Sequence, residues 1–196
     1  MSAINTLLIP IEELPPGSLG AIRRQVTDNL IQIVSTQLKV SPNTLVSRDL
    51  RCFTDLAWGT GANYATTAAT KDIWEVTTDG SLTAYQEMIT TASTNMADQR
   101  WVAIYGLRDM KSCFATKVTQ ATSLIKFIVG NSVKAIWDTS KLLCYKNNPV
   151  GVCPSAIIIP QNTQYQIEGY ILTASTVCWI SLEGVIVEPR GKVISP

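Results

Sequence analysis

From residue 100 onward the chain is a series of short runs rich in β-branched and aromatic residues, each closed by a turn signal. Such a series builds stacked sheets and little else. The runs are 100–106, 124–129, 132–137, 156–160, 165–172 and 176–187. Gly130 and Asn131 separate the second from the third, and a Gly-Asn pair between two β-rich runs signals a tight hairpin. The last run is long and broken by Gly184, where a bulge or bend is expected. Strands at this spacing predict a mainly β sandwich or barrel.

The first half is less regular. Pro10, Pro15 and Pro16 bar residues 1–17 from a helix or a central strand, so the segment reads as an extended arm. An arm of this kind is either disordered or tied down against a neighbour. Ser18 is placed to cap a helix, and Leu19, Ile22, Val26, Leu30 and Ile33 follow at helical spacing. The pattern predicts a helix over 18–28, whereas 30–40 fits helix or strand. A turn at 41–43, a strand in 44–53, a small-residue loop at 57–70, a strand at 73–76 and a turn at Asp79-Gly80 come next. Tyr85, Met88 and Ile89 suggest a second helix within 82–96.

A chain of 196 residues suffices for one domain with a full core. No linker divides it, so the expected organisation is an arm, 1–17, and a single domain, 18–196. The formal net charge is +1, which gives no field to draw in nucleic acid. Charged residues make up 16%, against roughly 25% in ordinary soluble domains. Uncharged polar residues replace them, and mean hydropathy is +0.16. That balance fits either an unusually neutral monomer or a subunit partly covered by copies of itself, and the second is the expectation. No signal peptide or membrane span is visible, which predicts synthesis in the cytosol. The five cysteines are odd in number and irregularly spaced, as buried free thiols would be rather than a disulfide framework.

Catalytic chemistry is thinly represented. The chain has no histidine, hence no Ser-His-Asp triad or Cys-His dyad of its own. It lacks a Cys-x-x-Cys pair and both common glycine-rich phosphate loops. The dispersed acids predict no metal site, and no cofactor is expected. Asp138, Glu168, Glu183 and Glu188 remain as carboxylates in the β half. Glu168 and Glu183, on neighbouring expected strands, are either a facing acid pair or two solvent-facing positions, and alternation favours the second. The chain is therefore expected not to be an enzyme.

Aromatic and apolar residues supply the remaining candidates. Trp101, Trp137 and Trp179 lie inside apolar runs and read as core. Trp58, Tyr64 and Trp74 flank the small-residue loop and read as surface contacts, suited to a partner or a glycan. With Leu7, Leu8, Ile9, Ile11 and Leu14 of the arm they form the candidate subunit or partner contact.

The segments 157–165, 182–196 and 129–138, with a weaker echo in 46–51, resemble the β-sandwich of structural proteins from tailed bacteriophage particles, such as capsid decoration (cement) proteins. The likeness spans roughly residues 100–196 and rests on strand-and-turn texture. It implies a jelly-roll-like sandwich that assembles as a homo-oligomer, often a trimer. It also implies a place in the virion beside the major capsid protein, with no catalytic residues. A carbohydrate-binding or adhesin-like module is the alternative.

Overall fold

Two sheets face one another. The computed structural model describes residues 5–51, 55–56, 74–78, 82–89, 95–109, 122–144, 150–175 and 177–192. The first sheet holds, in spatial order, β1 (Asn5–Leu7), β8 (Ser132–Asp138), β7 (Thr122–Val129), β10 (Tyr165–Ile171) and β5 (Tyr85–Ile89). The second holds β2 (Ile9–Pro10), β9 (Val150–Ile159), β6 (Trp101–Asp109), β11 (Val177–Pro189) and β3 (Leu45–Asp49). β4 (Trp74–Thr77) also pairs with β11. The mainly β sandwich is thus as expected, and each late run coincides with all or part of a strand.

Alternation along the strands makes the core. Ile125, Phe127 and Val129 of β7, with Tyr165 and Ile167 of β10, point inward against Ile180, Leu182 and Ile186 of β11. Trp137 packs on Phe127 with ring centroids 4.5 Å apart. Gly130, at φ 62°, opens the two-residue loop that joins β7 to β8, a conformation glycine adopts without steric cost. At Glu183/Gly184 the register with β6 shifts, as the glycine implied. The extra residue lies on the partner strand, at Tyr105. A Cβ on Gly184 would stand 2.8 Å from the Ala103 carbonyl oxygen, so the strands approach this closely only because it is glycine.

The central strand β6 is buried on both sides. Val102 and Ile104 enter the core between the sheets, while Trp101, Ala103 and Tyr105 face the other way. Helix α1 (Ser18–Leu38) covers that outer face with Val26, Leu30 and Val34 buried beneath it. It runs ten residues past the expected 18–28, because the apolar row continues through Val34 and Leu38 on one face. Tertiary burial of that row outweighs the β-branched residues within it. The N-cap is Gly17 rather than Ser18, with no side-chain cap bond. Lys39 closes the helix in the left-handed conformation, its N–H donating to the Ser35 carbonyl.

Two further expectations are corrected. The 82–96 stretch is not a second helix: residues 85–89 form β5, antiparallel to β10. The arm is extended, but its own chain ties down its described part. β1 pairs in parallel with β8, β2 pairs antiparallel with β9, and Leu8 between them donates its N–H to the Asp138 carbonyl at 3.1 Å. One short segment thereby covers part of the same-side edge of both sheets. Proline is tolerated there because β2 is an edge strand. The turn at 79–80 and the loop at 57–70 lie outside the described residues.

Candidate functional site

The arm's contact residues divide among three environments. Leu8 is fully buried in the core, so a partner cannot reach it, and its place among the contacts is corrected. A Cβ on Gly151 would meet Leu8 and Leu142 at 2.8 Å each, which shows how tightly the arm is seated. Leu14 packs partly buried on the helix side. Ile9 and Ile11 are half-buried. Leu7 is 42% exposed on the outer face of the first sheet. Trp58 and Tyr64 lie outside the described residues. The backbone of Trp74 is in β4, opposite Ile180, and its side chain lies outside the description. Trp101 and Trp137 are fully buried, as expected, and the Trp101 indole N–H donates to Gln37 at 2.8 Å. Cys153 is a buried free thiol.

The carboxylates do not form an acid pair. Glu168 lies on β10 of the first sheet, and Glu183 on β11 of the second. Each shares a side with outward-facing residues, so they sit on opposite outer faces of the sandwich. Glu168 pairs with Lys126 on the adjacent strand β7, and Glu183 accepts a 2.8 Å bond from Arg108. Glu188 is buried.

Glu188 belongs to a charge cluster at the sandwich end. Its Oε1 accepts from Arg100 Nε at 2.5 Å, and its Oε2 lies 3.7 Å from Arg48. Arg48 also grips buried Asp55, which accepts the Arg51 backbone N–H at 2.7 Å as well. Two acids and two arginines balance to zero. The Asp55 bond holds the Arg48 guanidinium even more firmly protonated than usual, against the opposing effect of burial. These mutually bonded charges hold β3, β11 and the start of β6 together.

The outer faces of the two sheets differ. α1 lies over the second sheet. Over the first, no described element is packed. Its outward row begins with Leu7 and Val133, which are 42% and 40% exposed, and continues through half-buried Leu124, Ile128 and Ile136. Toward β5 the face becomes polar and aromatic. Tyr85 meets Tyr170 edge-on at 5.3 Å, Lys126 lies 3.9 Å over the Tyr85 ring, and Gln166 donates to Glu87 at 2.5 Å. Burial, then the Glu168 charge, push the Tyr85 phenol upward.

A groove of about 450 Å³ lies between α1 and β9. Val26, Leu30, Ala103 and Ile158 contribute its apolar lining, while Gln25, Asn29 and Gln32 contribute amides from the helix. Among the described residues no group of three or more Cys, Asp or Glu side chains converges to hold a metal, and no helix is long and apolar enough to cross a membrane. Neither the outer-face row nor the charge cluster was singled out in the sequence, since both gather residues far apart in the chain. Scans against protein-family models, curated proteins and solved structures find no match.

Proposed function

We propose that this chain is a non-enzymatic structural subunit of a virion, a capsid decoration or cement protein that assembles with copies of itself. The observation that carries the reading is the bare outer face of the first sheet. Apolar side chains presented side by side with no described element over them are suited to burial against another subunit. Low charge agrees with it. So does the seating of the arm, which covers part of one edge of each sheet. The jelly-roll-like topology belongs to the same proposal. It draws support from the way β5 pairs β10 in one sheet while the next strands, β6 and β11, pair in the other.

Light scattering coupled to size exclusion tests the reading, comparing the chain with Val133→Glu. A closed oligomer, a trimer being expected, that the substitution dissociates supports it. A monomer at every concentration counts against it.

The polar and aromatic end of the same face favours a second reading, a carbohydrate-binding module. Two tyrosines ringed by Gln166, Glu87 and Glu168 offer apolar faces and hydrogen-bonding groups together. Saccharide binding that is lost in Tyr170→Ala would favour it.

A further inference from the structure

The groove beneath α1 combines three properties that point to one kind of ligand. Its lining carries no charged residue and no aromatic ring. Gln25, Asn29 and Gln32 stand at i, i+4 and i+7, so their carboxamides form one stripe along the helix. None of the three makes a side-chain hydrogen bond among the described residues. A carboxamide, like a peptide unit, offers a donor and an acceptor together.

The third property is the sheet edge beside the groove. β2 covers β9 only at Gly151 and Val152. Beyond that point the β6 register jumps from Gly106↔Val152 to Ile104↔Ile157, so Cys153 to Ala156 bulge away opposite Tyr105. The stretch from Ile157 to Ile159 returns to β6 on one side and, with Ala156 before it, has no strand on the other among the described residues. An uncovered edge presents a row of backbone donors and acceptors to an incoming strand.

We propose that this groove binds an extended, uncharged peptide segment of another protein chain by strand addition to residues 156–159 of β9, beneath the carboxamide stripe of α1. The chain's own Ile9-Pro10 already occupies the adjoining stretch of the same edge, so the edge is one that accepts an extended segment. The charge match is to a neutral partner: burying an acid or a base against these residues would leave it unpaired. The absence of a ring from the lining disfavours a sugar, which would want a stacking platform. Small apolar side chains of the segment would lie against Ala156 and Ile158, and its backbone would meet the amides. This assignment does not depend on the particle reading.

Titration of the full-length chain with a capped peptide alternating Thr and Val, followed by amide NMR, tests it. The expected result is shifts confined to residues 156–159 and to the side-chain amides of Asn29 and Gln32. Asn29→Arg, at an exposed helix position and checked for an unchanged fold by circular dichroism, should weaken binding at least about tenfold. Methylating the peptide's backbone nitrogens should abolish it. Shifts elsewhere, equal binding of the methylated peptide, or no saturable shift would each overturn the proposal.

Discussion

The guanidinium of Arg48 holds the Asp55 carboxylate with both terminal nitrogens, each 2.6 Å from its oxygen. Fork-to-fork pairing of this kind fixes direction as well as distance. The Asp55 side chain is 2% exposed, so loss of Arg48 leaves a buried carboxylate with Arg100, at 3.7 Å, in place of its bidentate partner. We expect Arg48→Met to destabilise the fold by about 3–5 kcal/mol in urea unfolding. The exposed Arg23–Asp49 pair is the control, and Asp49→Asn should cost under about 1 kcal/mol. Equal losses at the two sites would contradict the importance given to burial.

Gly151 is the floor on which Leu8 rests. Gly151→Ala has nowhere to place its methyl group without moving Leu8 or Leu142. We expect a loss of about 1–3 kcal/mol. Hydrogen exchange should accelerate first at residues 5–10. Uniform acceleration across both sheets would mean that the arm is not a separable element.

Gly130 opens the β7–β8 loop at φ 62°. Nothing lies within 4 Å of a Cβ built there, so any cost of Gly130→Val is one of backbone conformation and not of space. Thermal unfolding should report a loss of more than about 1 kcal/mol. An unchanged midpoint would remove the turn from the list of register-setting features.

Burial, with the nearby charges of Glu183 and Asp49, pushes the Tyr105 phenol up to about 12, only partly opposed by Arg23. The unfolded phenol titrates near the ordinary tyrosine value of 10.0. The folded state therefore holds the proton more tightly. Its contribution is fully present below the unfolded value and is lost as pH rises through the folded one. Stability should fall by on the order of 2–3 kcal/mol across that alkaline window. Tyr105→Phe should flatten the fall, as measured by urea midpoints against pH. A fall of unchanged size in the variant would assign it to another group.

The strands of the second half were legible because each buries one or both faces, and burial writes itself as apolar alternation or an apolar run. The 82–96 stretch misled for a physical reason. Tyr85, Met88 and Ile89 satisfy a helical spacing, yet pairing with β10 decides the conformation. The far end of α1 was ambiguous because Ile31, Ile33 and Val34 favour strands locally, and only the sheet beneath them selects the helix. Residues 48, 55, 100 and 188 meet through folding alone, and no local pattern announces them. The outer-face row likewise draws on β1, β7 and β8. Its exposed apolar members, Leu7 and Val133, look like ordinary strand residues until their neighbours are known.

The stitching of the arm also has a consequence in time. Asn5 has its partner at Ile136, and Ile9 has its partner at Val152. A ribosome delivers the arm long before it delivers either strand that the arm must meet. The arm therefore waits, unpaired, while most of the chain is made, and it can dock only after β8 and β9 have formed. Contacts so distant in sequence are slow to close. Docking of the arm is then a late event in folding, and until it happens the β8 edge and the Gly151–Val152 part of the β9 edge stand open to other chains.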